Sequence, residues 1–215
     1  TTVKSIEERL GARTAVMVVP IGRESLYIGN VDLLTRKALI WHSDDLGAKY
    51  DVKDCPAELK EEVEKRRHEL VERISETDDA LLEKYLNGEE PTVDELKKAL
   101  RKAVIGYKLV PVYAGTSLRN KGVQPLLDAV VDYFPSPVDV PPQKGIDPKT
   151  GAVIEKKASD DEPFAALVFK IATDPYVGTL TYFRIYSGVL NKGSYVLNAN
   201  TGEQERISRI LRMHA

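Results

Sequence analysis

A single cysteine among 215 residues, Cys55, excludes an internal disulfide, and no histidine stands near it at metal-ligand spacing. Histidine is nearly as scarce. His42, His68 and His214 are far apart, and none falls into a zinc or catalytic-triad pattern. No apolar run is long enough to cross a bilayer, and no signal-peptide pattern is present. The chain also lacks an initiator Met, and Thr1 to Gly11 reads as a helix entered near its start, with Val3, Ile6 and Leu10 on one face. What remains is 42% hydrophobic and 30% charged residues, a composition that suits a soluble intracellular globular chain of one or two domains and not a disordered one.

Apolar patterning divides the chain. Thr14 to Pro20 reads as an apolar strand, and Gly29 to Trp41 as a further strand or pair of strands in the same sheet. From Asp54 the pattern turns helical. Pro56 suits a first turn, and Leu59, Val63, Leu70 and Ile74 form one apolar face. A second helix runs from Asp78 to Leu86 and stops at Asn87-Gly88. A third opens at Thr92-Val93-Asp94-Glu95, which has capping-box spacing, and carries Leu96, Leu100 and Val104.

Beyond Leu109, a buried strand over Val110 to Tyr113, a turn at Ala114-Gly115 and an amphipathic helix from Val123 are predicted. A loop such as Gly115-Thr116-Ser117-Leu118, at the carboxyl end of a strand, is where open α/β sheets bind ligands, because free N–H groups gather there. On chemistry alone, an ordinary βα connection is the commoner reading of such a loop. The phosphate half of a nucleotide site is missing: no G-x-x-x-x-G-K-[ST] string occurs. Asp44-Asp45-Leu46-Gly47 matches a loose D-x-x-G and reads as a surface turn. Asn120-Lys121-Gly122-Val123 and Asn191-Lys192-Gly193-Ser194 begin like the base-reading N-K-x-D but lack its Asp.

Pro135, Pro137, Pro141 and Pro142, followed by the turn Asp147-Pro148-Lys149-Thr150-Gly151, mark a linker with a small hairpin. Strands follow over Phe164 to Thr173 and Gly178 to Ser187, with the turn Asp174-Pro175 between them. Leu167, Phe169 and Ile171 share one face of the first, and Leu180, Tyr182, Arg184 and Tyr186 one face of the second. Asn191-Lys192-Gly193 and Asn200-Thr201-Gly202 punctuate further strands.

The runs GTSLRNKGVQ, from Gly115, and LLDAVVDYFPSP resemble translation elongation factor G, a ribosome-dependent GTPase. DPYVGTLTYFRIYSGVLNKGSYV, from Asp174, resembles the opening of the β-barrel second domain of such factors. The resemblance implies the late α/β part of a P-loop GTPase-type domain over residues 1–137, with an α+β helical insert over about 20–108. A linker at 138–162 and an incomplete antiparallel β-barrel at 163–215 follow. It further implies that Gly115, Thr116, Ser117 and Leu118 form the guanine-side loop, the family's Ser-Ala-Leu falling on Thr116, Ser117 and Leu118. The middle position offers its backbone N–H to the guanine carbonyl, a role that tolerates the changed side chain at Ser117.

GTP or GDP and Mg²⁺ are implied for an intact parent and none for these residues alone, with no catalytic and no metal-ligating residue among them. Asp54 to Lys102 holds fifteen acidic and ten basic residues. In the resembled family these insert helices touch the basic stalk protein of the large ribosomal subunit, which makes Glu58, Glu61 and Glu64 candidate contacts. The alternative is that they merely solvate a helix face. Pro163 to Ala215 carries six basic and three acidic residues, and in the family the barrel rests against small-subunit rRNA. DNA and membrane are not expected partners, the implied location is cytoplasmic or organellar, and self-association is expected only through unpaired strand edges. The expectation is a piece of a larger GTPase, inactive by itself. A non-enzymatic stalk-binding module and another translational GTPase, of ribosome-protection or release-factor type, are the alternatives.

Overall fold

The computed structural model describes residues 2–42, 47–147 and 150–212. Asp44, Asp45 and Leu46 of the expected surface turn, and His214, lie outside the described residues. Two compact units divide the chain, Thr1–Phe134 and Pro135–Ala215.

In the first unit, helix α1 (Thr2–Leu10) ends where Gly11, at φ +63°, leaves the helical region. Strands β1 (Thr14–Val16) and β2 (Val18–Ile21) replace the single strand expected over Thr14 to Pro20. The division falls at Met17, which is fully buried. Its N–H donates to Val112 O at 3.0 Å while its carbonyl accepts from Leu33 N at 2.9 Å. The chain therefore changes sheets at this residue, a choice made by partners distant in sequence. Strands β2, β3 (Gly29–Asp32), β4 (Lys37–Trp41) and β5 (Tyr50–Asp54) form an antiparallel meander in that order. Strand β5 is the one that the polar run Tyr-Asp-Val-Lys-Asp did not announce. It pairs Leu39 with Val52 and leaves Val52 exposed.

Helix α2 (Lys60–Ser75) follows Pro56 and a 3-10 turn over Ala57–Leu59. Its buried face is Val63, Arg67, Leu70, Val71, Ile74 and Ser75, so the seven-residue gap between Val63 and Leu70 is filled by an arginine. Arg67 is 4% exposed. Its Nη1 donates to Leu33 O and Leu34 O, both at 2.7 Å, and its Nη2 to Glu90 at 2.9 Å. Two carbonyls at the end of a sheet strand, which cannot find partners in the meander, are thus satisfied from a helix.

Helix α3 (Asp79–Leu86) is capped by the Asp78 side chain. The expected capping box opens α4 (Val93–Ile105): Thr92 N–H donates to the Glu95 carboxylate at 2.9 Å, and Glu95 N–H to Thr92 Oγ1 at 3.3 Å. Leu96, Ala99, Leu100 and Ala103 face the core, and Val104 is half-buried. Strand β6 (Val110–Val112) pairs in parallel with β1, Ala15 opposite Pro111. It is not the buried strand expected: Leu109 is buried, but Val110 is 45% exposed, and Pro111 and Val112 are half-buried. Helix α5 (Val123–Tyr133) buries Ala129 and Tyr133 and exposes Leu126, Leu127, Val130 and Val131.

Among its described residues, the second unit holds three two-stranded antiparallel sheets. Strands β7 (Gln143–Ile146) and β8 (Val153–Lys156) make the expected hairpin. Strands β9 (Ala165–Asp174) and β10 (Gly178–Ser187) make a longer one, its turn held by Asp174 Oδ1, which accepts from Tyr176 N and Val177 N at 2.8 and 2.9 Å. Strands β11 (Tyr195–Leu197) and β12 (Gln204–Arg206) complete the set. The open end of the long hairpin is latched. Ser187 Oγ donates to Pro163 O at 2.8 Å and Gly188 N–H to Ser159 O at 2.9 Å. A Cβ on Gly188, whose φ is +68°, would lie 2.5 Å from Glu162 O and 2.6 Å from Phe164 N. No closed barrel forms among the described residues.

Candidate functional site

Strand β6 leads through Tyr113 and Ala114 into the loop Gly115-Thr116-Ser117-Leu118, and the loop closes on itself before α5. Thr116 N–H donates to Lys121 O at 2.8 Å and Lys121 N–H to Thr116 O at 3.2 Å. Between them Ser117–Arg119 makes one 3-10 turn, and Asn120, at φ +52°, reverses the chain. So tight a ring needs glycine at both ends. A Cβ on Gly115 would lie 2.8 Å from Lys121 O, and one on Gly122, at φ +84°, 2.9 Å from Ala114 O and 3.0 Å from Gly115 Cα.

The four residues share one loop but not one environment: Thr116 is half-buried, Gly115 and Ser117 are exposed, and Leu118 is 95% exposed. The two bonds of the 3-10 turn use the N–H groups of Arg119 and Asn120, so Ser117 N–H has no acceptor among the described residues. A donor that the fold leaves unpaired at the carboxyl end of a strand can bind an acceptor atom of a ligand.

The meander supports this loop at three points that sequence reasoning missed. Asn30 Nδ2, on β3, donates to Ala114 O at 2.7 Å, and the Tyr27 hydroxyl reaches the same oxygen at 3.5 Å. Burial pushes the Tyr27 phenol up to about 12, so at neutral pH it remains a donor. Asn30 is 2% exposed, and its Oδ1 has no hydrogen-bond partner among the described residues. Gly47 lies against the 3-10 turn: a Cβ there would stand 2.6 Å from Arg119 O and 2.8 Å from Asn120 O. Gln124, in the first turn of α5, accepts from Trp41 Nε1 at 3.1 Å and donates to Gly47 O at 2.8 Å. The one local clue was Asn30, a polar residue directly before Val31 in a short strand whose other interruption is Asp32.

Glu58, on the 3-10 turn before α2, and Glu61 and Glu64, on α2, are all exposed. Glu64 is engaged with Arg36 at 2.9 Å, whereas Glu58 and Glu61 have no ion-pair partner among the described residues. An open cleft of about 480 Å³ lies elsewhere, lined by Glu7, Gly11, Ala12, Arg13, Glu72, Arg73 and Glu76. Four of its five charges pair, Arg13 with Glu76 and Arg73 with Glu7, whose carboxyl the Arg73 hydrogen bond holds below its ordinary range. It offers a ligand little. Among the described residues, no group of three or more His, Cys, Asp or Glu side chains could hold a metal ion. No helix among them is long and apolar enough to cross a membrane.

Residues 178–215 match the sequence family described as elongation factor Tu domain 2. This likeness supports a translation factor. It covers β10 to β12, the part of the second unit where the β-barrel resemblance had been read. A crystal structure of a protein from Thermus thermophilus is similar over 96% of this chain, with 31% sequence identity and a TM-score of 0.73. The chain spans 27% of the length of that protein. The mixed α/β first unit and the small antiparallel sheets of the second agree with the end of a GTPase domain followed by a barrel-type domain.

Proposed function

We propose that these residues are the guanine-side part of a translational GTPase of the elongation factor G type, whose intact form hydrolyses GTP on the ribosome to move tRNA and mRNA. The observation that carries the reading is the combination of an unpaired Ser117 N–H in a glycine-closed loop after β6 with the elongation factor Tu domain 2 match downstream. Gly115 and Gly122 let the loop turn back on itself, Ser117 offers its amide to the guanine carbonyl, and Thr116 and Leu118 flank it. Where the whole site is present, GTP or GDP would meet this loop with its base, and Mg²⁺ would be held by groups other than those described. One backbone contact cannot replace a phosphate cradle.

The 215-residue chain is accordingly expected to bind guanine nucleotides weakly and to hydrolyse none. Calorimetric titration with GTP and GDP checks this, and micromolar affinity or magnesium-dependent turnover would overturn it. The guanine role is tested by NMR. Excess GDP should shift the Ser117 and Leu118 amide resonances and excess ADP should not; equal effects would remove the role.

A second reading is favoured by Glu58 and Glu61, exposed on a strongly acidic pair of turns and without ion-pair partners among the described residues. These, with Glu64, would contact a basic partner such as the stalk protein of the large ribosomal subunit. Reversal of Glu58 and Glu61 to Lys should abolish pull-down by purified stalk protein; undiminished capture would leave them as solvating charges.

A further inference from the structure

The loop 114–122 does not hold its shape by its own bonds alone. Of the carbonyls that define it, Ala114 O is held by Asn30 from β3, and the Arg119 and Asn120 carbonyls pack against Gly47 at a distance that leaves no room for a side chain. Gln124 then ties Gly47 to Trp41 at the end of β4, donating to Gly47 O and Ala48 O and accepting from the indole. The hydrogen bonds among these contacts bridge 76 to 84 positions of sequence, and together the contacts surround the segment that carries Ser117.

We infer that Asn30, Gly47 and Gln124 are positioning residues for the guanine-side loop, through which the β2–β5 meander sets where the Ser117 amide points. The inference rests on the guanine reading only for what the loop binds; the clamp itself is a statement about the loop's order. Asn30 supports this. A buried amide with an orphaned acceptor is costly to keep, and the bond that it makes, to Ala114 O, is the one that fixes the start of the loop. Because Gln124 grips the meander and the first turn of α5 at once, any displacement of β4 or of residues 47–48 is passed to the loop.

Amide exchange read by mass spectrometry tests this on the 215-residue chain. Gln124→Ala removes a half-buried side chain and should leave α2 and α4 exchange unchanged. Exchange of the Arg119, Asn120 and Lys121 amides should rise roughly tenfold. Asn30→Ala and Gly47→Ala should do the same, and Trp41 emission, from the only tryptophan, should change in Gln124→Ala. Exchange at Arg119 to Lys121 that is unaltered in Gln124→Ala would overturn the clamp, whatever the stability of the other two variants. The GDP-minus-ADP shift at Ser117 separates the two ideas. Loosening on substitution without any GDP-specific shift in the parent chain keeps the clamp and discards guanine. Loosening together with a smaller GDP-specific shift in Gln124→Ala supports both.

Discussion

Leu100 and Phe169 are both large apolar residues in the middle of regular elements, yet Leu100 is fully buried in α4 and Phe169, in β9, is 64% exposed. The contrast extends across the two units. In the first, side chains from β1, the meander, α2, α3 and α4 share one apolar core, so that Val31, Ala38, Leu70, Ile74 and Leu96 lose almost all contact with water. In the second, the buried ones among the described residues are Ser187 and Gly188 of the latch, while Leu167, Ile171 and Tyr195 lie open. Order is thus kept by two different means. Apolar burial contributes about 1.5–3 kcal/mol per large side chain in the first unit. In the second, backbone ladders, turns such as that at Asp174 and the latch hold the strands.

The widest expected separation is in local stability. Amides of β9 and β10 should exchange roughly a hundredfold faster than those of Leu96 to Ala103, and trypsin should cut first in the second unit, at exposed Lys170 or Arg184. Equal protection would mean that the apolar strands are covered in solution. Arg67→Ala should be the most damaging single change, because it strands Leu33 O, Leu34 O and part of Glu90's pairing. With two buried carbonyls left unsatisfied, a loss of about 4 kcal/mol is expected in urea denaturation followed by Trp41 fluorescence. Leu100→Ala should cost about 3 kcal/mol in the same assay, while Phe169→Ala should cost less than about 0.5 kcal/mol in the urea unfolding of the second unit, read by β9 and β10 amide exchange.

Several features behind these predictions were legible in the sequence. Thr92 and Glu95 announced a helix start because a capping box is local: donor and acceptor lie within one turn of each other. The three helices, the hairpin around Asp147 and the long strand pair turning at Asp174 followed from period and punctuation. Met17 could not be read in this way. The run Thr14 to Pro20 is apolar throughout, and only Val112 and Leu33, far along the chain, decide that it serves two sheets. Arg67 was hidden for a related reason, since a charged residue on a buried face makes sense only beside the carbonyls that it satisfies. At the candidate site, resemblance singles out Ser117 as the proposed contact, but Gly47 and Gln124 acquire meaning only when the meander folds against the loop.

Smaller effects sharpen the comparison within the first unit. Thr92→Ala should cost about 1 kcal/mol by removing the cap of α4. The cap also carries a pH signature. Hydrogen bonding from Lys84 and then from Thr92 holds the Glu95 carboxyl down to about 2, against an ordinary 4.5. A carboxyl depressed in the folded state stabilises fully above its unfolded value, and the contribution disappears as pH falls through the folded one. The urea midpoint should therefore fall between about pH 5 and pH 2, and Glu95→Gln should flatten that part of the curve. A curve unchanged by the substitution would assign the acid sensitivity to other pairs, such as Glu90 with Arg67 and Arg36.

The latch at Gly188 bears on how the long hairpin avoids error. Two strands joined by a short turn can pair one position out of step, and such a slip turns every side chain to the opposite face. Here a slipped pairing would carry Ser187 or Val189 into the place of Gly188, where even a Cβ collides with Glu162 O and Phe164 N. Only one alignment lets the segment from Ser159 to Phe164 close over the strand end. The glycine acts as a proofreading step for the hairpin: β9 and β10 can meet in many ways, but they can be fastened in one.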